Sequence, residues 1–112
     1  MEDIQKEVDL IIQACEDKKG IDIKAIDVSK RSSIADRFII VSGNSDTQVK
    51  AISDSVEEAM EEYRQEQFPK EGYSAARWVV LDFNNIIVHV FHKDEREFYN
   101  LERLWEEEEF AE

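Results

Sequence analysis

The sequence predicts an α/β domain, in which a mixed β-sheet of about four to five strands is flanked by helices. Apolar residues recur at helical spacing in three segments, and short apolar runs of strand length lie between them. The order is helix, strand, strand, helix, strand, strand, helix. A chain of 112 residues fits one domain, and a mixed sheet covered by helices buries every apolar face with so few elements.

The first helix and two strands occupy the N-terminal part of the chain. Apolar residues from Ile4 to Cys15 at helical spacing predict a helix over residues 3–18, and Gly20 ends it. Residues 22–28 alternate as a strand does, but the alternation shifts by one position, which indicates a bulge or burial on both faces. The run RFIIVSG, residues 37–43, is apolar on both faces and predicts a central strand.

A long second helix and a third helix are predicted on either side of a hairpin. Ser45 and Gln48 form a capping box in front of an apolar stripe, which predicts a helix over residues 46–67. Pro69 and Gly72 end it. Asp94 is predicted to cap the last helix, whose inward stripe is Phe98, Leu101, Leu104 and Trp105.

The run WVVLDFNNIIVHVF, residues 78–91, predicts two strands joined at Asn84-Asn85, because asparagine tolerates the positive φ of hairpin turns. One side of this hairpin is wholly apolar and belongs in the core: Val79, Leu81, Phe83, Ile86, Val88 and Val90. The other side pairs Trp78 with Phe91, Val80 with His89, and Asp82 with Ile87. Either a helix covers this mixed side, or it is partly open and Trp78 and Asp82 form a docking surface.

Charge and composition exclude several classes of function. The net charge of −13 opposes direct binding to nucleic-acid backbones and favours a basic protein partner. The N-terminus does not resemble a targeting peptide, and no apolar run is long enough to span a membrane. Cys15 is the only cysteine, so we expect a buried structural thiol in a reducing cytoplasm. His89 and His92 lack metal-ligand spacing, and His89 is interpreted as a satisfied structural histidine.

Three runs together resemble the ribosomal silencing factor family, also called Iojap-like. They are DIKAIDVSKRSSIADRFIIVSGNSDTQVKAI, then WVVLDFNNIIVHVF, then REFYNLERLW, and they extend from Asp22 to Trp105. The resemblance implies a nucleotidyltransferase-like fold without the catalytic carboxylates, no enzymatic activity and no cofactor or metal. It also implies binding to the large ribosomal subunit through the universal fourteenth large-subunit ribosomal protein, a block to subunit joining, and a homodimer when free.

The family's docking surface, carried over by resemblance, falls on Trp78, Asp82 and Tyr99, and Glu102 is added as a salt-bridge partner. The expected domain covers residues 1–105, and residues 106–112 form an acidic tail. Two alternatives remain. VSGNS could hold a phosphate in a degenerate nucleotidyltransferase-like enzyme, although no Asp-x-Asp pair is present to bind magnesium. Alternatively, the exposed hairpin side could serve only a structural homodimer.

Overall fold

The computed structural model describes residues 4–30 and 33–99, with only the backbone for residues 98–99. Within these residues the chain forms α1 (Ile4–Asp17), β1 (Ile21–Asp27), β2 (Arg37–Gly43), α2 (Asp46–Arg64), β3 (Lys70–Glu71), β4 (Trp78–Asp82), β5 (Ile86–His92) and α3 (Lys93–Tyr99). The predicted acidic tail, residues 106–112, lies outside the described part. The α/β class with a mixed sheet of five strands is confirmed.

The sheet has the order β1-β2-β5-β4-β3. Strands β2 and β5 pair in parallel, from Arg37 with Ile86 to Gly43 with His92. The other three pairings are antiparallel. A parallel pair needs a long crossover connection, which here includes α2. The arrangement places β5 at the centre of the sheet, with β2 and β4 on its two sides.

One face of the sheet, called here the helix face, packs under α1 and α2. It carries Ile39 and Val41 of β2, Val79 and Leu81 of β4, and Val88 and Val90 of β5, all in one buried cluster with the apolar stripes of both helices. Cys15 lies in this cluster and is fully buried, which raises the pKa of its thiol to about 12. The predicted buried thiol is therefore confirmed. Each buried aliphatic side chain stabilises the fold by roughly 1.5–3 kcal/mol.

The opposite face, called here the second face, is only partly covered. Alternation along the strands gives it Phe38, Ile40 and Ser42 from β2, Trp78, Val80 and Asp82 from β4, and Ile87, His89 and Phe91 from β5. Helix α3 packs against one end of this face. Its buried Arg96 donates from Nη1 to Ser42 Oγ at 2.9 Å and to the Ile21 carbonyl oxygen at 3.3 Å.

The hairpin register predicted from the sequence is confirmed, because Trp78 pairs with Phe91 and Asp82 with Ile87. Asn84 has φ 78°, and the N–H of Asn85 donates to the Phe83 carbonyl at 3.0 Å, so a tight turn is centred on Asn84.

Arg64, at the end of α2, holds the hairpin turn. It donates from Nε and Nη2 to the two carboxylate oxygens of buried Glu7, each at 2.6 Å. Its Nη1 also donates to the Phe83 carbonyl at 2.8 Å, and Nη2 to Asn85 Oδ1 at 2.6 Å. A single guanidinium group therefore links α1, α2 and the turn between β4 and β5.

Two helix ends differ from the prediction. Helix α2 ends at Arg64 and not at residue 67, because Gln65 adopts φ 59° and its N–H bonds the Glu61 carbonyl. Helix α3 begins at Lys93, so the predicted cap Asp94 lies inside its first turn. The capping role goes to His92, whose Nδ1 accepts the Asp94 N–H at 3.3 Å. The stripe residues Leu101, Leu104 and Trp105 lie outside the described part.

The two edge strands account for the other differences. The register of β1 shifts between Ile21 and Lys24, where Asp22 has φ 51°. The strand therefore does contain an irregularity, but it lies upstream of the change in alternation between Ala25 and Ile26, where the pairing with β2 is regular. Strand β3, which the sequence analysis missed, has two exposed residues and pairs Lys70 with Leu81. Within residues 4–30 and 33–99, no helix has both the length and the apolar character that a membrane crossing requires.

Candidate functional site

Trp78 begins β4 and lies on the second face. Its indole stacks on the ring of Phe91, the residue directly opposite on β5, with ring centroids 5.0 Å apart and an interplanar angle of 27°. Phe91 is fully buried, whereas Trp78 is half-buried. Offset stacking of this kind favours one orientation of the indole. Trp78 therefore combines a fixed inner side with an outer part in contact with solvent.

His89 lies diagonally across from Trp78 and accepts its indole hydrogen. The distance from Trp78 Nε1 to His89 Nδ1 is 3.1 Å. The imidazole is 7% exposed and packs edge-on against Phe38, with centroids 4.9 Å apart. Burial lowers the pKa of His89 to about 4, so the ring is neutral near pH 7.

The expectation that His89 is fully hydrogen-bonded is wrong in one respect. Because Nδ1 accepts a hydrogen bond, it carries no proton, and the proton of the neutral ring is on Nε2. That atom is buried and has no hydrogen-bond partner in the described part of the chain. A buried, unpaired donor is destabilising, so Nε2 is a cost of placing histidine at this position.

Asp82 ends β4 on the same face as Trp78, roughly 13 Å away along the strand at the usual rise per residue. Its Oδ1 accepts the N–H of Asn84 at 2.8 Å, which orients the carboxylate, and the side chain is exposed. Half-buried Val80 lies between the two residues on β4, and half-buried Ile87 lies directly opposite Asp82 on β5. We call this set of four residues the Trp78–Asp82 strip. It presents an aromatic ring at one end, aliphatic carbon in the middle and a carboxylate at the other end.

The structure brings together two of the four predicted docking residues. Trp78 and Asp82 share the strip, and neither is enclosed beneath α1 or α2. Tyr99 is the last residue of α3, and only its backbone is described. Glu102 lies outside the described residues. Sequence reasoning missed the link between His89 and Trp78, although the hairpin register already made them diagonal neighbours on one face.

The strand-to-helix junction VSGNS, considered above as a phosphate site, has internal partners. Ser45 Oγ accepts the Gln48 N–H at 3.1 Å, and Gln48 Oε1 accepts the Asn44 N–H at 2.6 Å. Gln48 Nε2 donates to the carbonyls of Lys18 and Lys19, which fixes its amide. The Asp46 carboxylate in the first turn adds negative charge where a phosphate would lie.

A metal-binding arrangement is also missing from the described residues, where no group of three or more His, Cys, Asp or Glu side chains could hold an ion. The junction and the available carboxylates thus give no support to phosphoryl-transfer chemistry. What the geometry does show is a partly exposed row of side chains, the Trp78–Asp82 strip, on the second face of the sheet.

Taken together, the fold and the strip define a class: a small α/β protein with one sheet face under helices and an aromatic–acidic strip on the other. The family model "Ribosomal silencing factor during starvation" matches residues 1–112. The chain belongs to the ribosomal silencing factor family, as the sequence motifs indicated.

Individual relatives agree with this membership. The ribosomal silencing factor RsfS of Bacillus subtilis is 48% identical over 92 residues, which cover 82% of this chain and 78% of the relative. The RsfS of Halalkalibacterium halodurans is 45% identical over 101 residues, which cover 90% and 86%. A crystal structure of a Chromobacterium violaceum protein superposes with a TM-score of 0.88 at 39% identity, covering 94% of this chain and 87% of the other.

Proposed function

We propose that this protein is a cytoplasmic repressor of translation that binds the large ribosomal subunit. It docks on the universal fourteenth large-subunit ribosomal protein and prevents the small subunit from joining. The observation that carries the proposal is the Trp78–Asp82 strip, which holds an aromatic anchor and an exposed carboxylate on one sheet face outside the helix layer. Membership of the ribosomal silencing factor family supports the choice of partner.

The strip has the physical properties of an interface anchor. Stacking on Phe91 orders the Trp78 indole before the partner arrives, which lowers the entropy lost on binding. Partly exposed aromatic residues that become desolvated in an interface contribute roughly 2 kcal/mol or more each. Ribosomal proteins are generally basic, so the net charge of −13 and the Asp82 carboxylate favour encounter and correct orientation.

In this proposal, the size of the bound protein is what represses translation. The chain has principal extents of 39 × 36 × 21 Å. A folded domain of this thickness keeps its shape under contact with another molecule, since protein interiors are close-packed and have low compressibility. If it is bound at the contact surface between the subunits, it excludes the small subunit sterically and needs no catalytic step.

Sedimentation with purified large subunits tests the proposal. We expect Trp78→Ala and Asp82→Arg each to abolish co-sedimentation while thermal unfolding stays cooperative. Tyr63→Ala and Asp9→Arg are matched controls, because they remove an exposed aromatic and reverse an exposed charge on α2 and α1, away from the strip. Both controls should bind as the unmodified chain does. Adding small subunits to the same gradients should give fewer joined ribosomes in the presence of the protein. Binding without any effect on joining would contradict the repressor role.

Tyr99 and Glu102 are proposed as additional contacts with the same partner. The proposal is supported by the position of α3, which ends at Tyr99 and packs against the second face through Arg96 and Ser42. We expect Tyr99→Ala and Glu102→Lys to weaken co-sedimentation by less than Trp78→Ala does. Unchanged binding of both variants would restrict the docking surface to the hairpin.

The free protein is proposed to form a homodimer that uses the same strip. Trp78, Val80 and Ile87 remain partly exposed, and a second copy would bury them. Light scattering should then give a dimer for the unmodified chain and a monomer for Trp78→Ala. Large subunits added to the dimer should dissociate it, because both partners need one surface. A dimer that persists in Trp78→Ala would assign self-association to another surface.

A further inference from the structure

We propose that His89 is a positioning residue for docking. It accepts the hydrogen bond of the Trp78 indole N–H, so that the partner contacts Trp78 through ring carbons alone. The consequence for the partner rests on the proposed function. The positioning role itself rests on contacts within this chain. Trp78 Nε1 lies 3.1 Å from His89 Nδ1, and Phe91 covers the ring from the opposite strand.

The imidazole is itself held in place, which is necessary if it is to fix another side chain. His89 is 7% exposed, stands edge-on to Phe38 at 4.9 Å and lies nearly parallel to Phe91, with an interplanar angle of 16°. It is on central strand β5, which is paired on both sides. The indole is therefore fixed by two independent contacts, a stack and a hydrogen bond, to one rigid strand.

The choice of histidine at position 89 is otherwise unfavourable. A phenylalanine or leucine would fill the same apolar environment without a buried donor, whereas His89 leaves Nε2 unpaired within the described residues. The ring makes one hydrogen bond to another side chain here, and it is the bond to Trp78. Burial lowers the pKa of His89 to about 4, so Nδ1 stays an acceptor throughout the physiological range.

The chemistry that the partner must offer follows from these contacts. With its N–H bound to His89, the indole presents no donor, and Phe91 lies against the inner side of its ring. Aliphatic carbon or a lysine or arginine cation over the ring is favourable there, whereas a hydrogen-bond acceptor is not. Asp82, at the other end of the strip, accepts hydrogen bonds and has no hydrogen to give. The strip thus selects a partner surface with basic and aliphatic side chains.

Two variants separate the hydrogen bond from simple packing. His89→Leu keeps an apolar group of similar bulk but removes the acceptor. His89→Asn keeps an acceptor, because the Asn Oδ1 is as many bonds from Cα as Nδ1 of histidine. The indole N–H resonances are followed by nuclear magnetic resonance in a Trp105→Phe background, which leaves Trp78 as the single tryptophan. Hydrogen exchange at that N–H is measured together with the affinity for large subunits.

We expect the Trp78 N–H to exchange at least tenfold faster in His89→Leu than in the unmodified chain or in His89→Asn. The affinity for large subunits should fall about fivefold in His89→Leu and stay within twofold in His89→Asn, as the loss of one ordinary hydrogen bond predicts. Equal exchange rates in all three chains would overturn the positioning role, and so would unaltered affinity in His89→Leu. If the unmodified chain fails to bind large subunits, the proposed function is wrong, while the exchange rates still decide whether His89 fixes Trp78.

Discussion

Replacing Arg64 should destabilise the fold more than any single change of a surface charge. In Arg64→Met the aliphatic part of the side chain stays, but the guanidinium group is lost, and with it two hydrogen bonds to Glu7, one to Phe83 and one to Asn85. The Glu7 carboxylate, 2% exposed, then loses the positive charge with which Arg64 pairs. Removing one partner of a buried pair costs about 3–5 kcal/mol, since the remaining charge is left desolvated.

Urea unfolding followed by circular dichroism measures this loss, because a chain of this size is expected to unfold in a two-state manner. Lys70→Met is the matched control. It removes a lysine that contacts Glu57 at 2.9 Å but is far less buried, and an ion pair of that kind contributes at most about 1 kcal/mol. The double variant Glu7→Leu with Arg64→Met should regain part of the stability lost in Arg64→Met. If Arg64→Met and Lys70→Met unfold at the same urea concentration, the reasoning from burial is refuted.

Three further predictions concern single residues. The pKa of His89 is about 4 in the fold and about 6.5 in the unfolded chain, so the unfolded chain binds more protons as the pH falls below about 6.5. The free energy of unfolding should therefore fall by about 1 kcal/mol from pH 7 to pH 5.5. This contribution to the pH dependence of unfolding should be absent in His89→Leu. Gly72→Ala should lower the melting temperature by several degrees, whereas Glu71→Ala should not, since Gly72 has φ 81° and a Cβ there would overlap the Trp78 carbonyl oxygen. Cys15 should react with iodoacetamide only at the rate of unfolding, because the thiol is buried and its pKa is raised to about 12; a rapid reaction of the folded chain would refute this.

The elements with a strong period were predicted from the sequence. The hairpin is the clearest case, because alternation in both strands and a two-asparagine turn independently specify the same register. The apolar stripes likewise located α1 and α2 to within a few residues. The hairpin pattern marked Trp78 and Asp82 as members of a mixed face, and the resemblance to the family made them the preferred docking residues.

The structural features that could not be predicted from the sequence depend on contacts between distant segments. Strand β3 has only two residues, Lys70 and Glu71, which is too short for any period, and it exists because β4 offers an unpaired edge. The start of α3 depends on the His92 ring reaching the Asp94 N–H, a choice that helix-capping preferences rank below aspartate. Likewise, the Arg64 contacts connect residues up to 57 positions apart in the chain, which local patterns cannot report.

The margins of the sheet determine how other chains can approach it. On one side, β1 departs from regular geometry at Asp22, where the shifted register leaves no continuous ladder for an added strand. On the other side, β3 ends after two charged, exposed residues. Both devices oppose the addition of a foreign strand by backbone pairing, which is also the route to fibrous aggregation. The sheet edges thus favour recognition through side chains on a face over recognition through backbone pairing, and they oppose polymerisation of the protein through its own sheet.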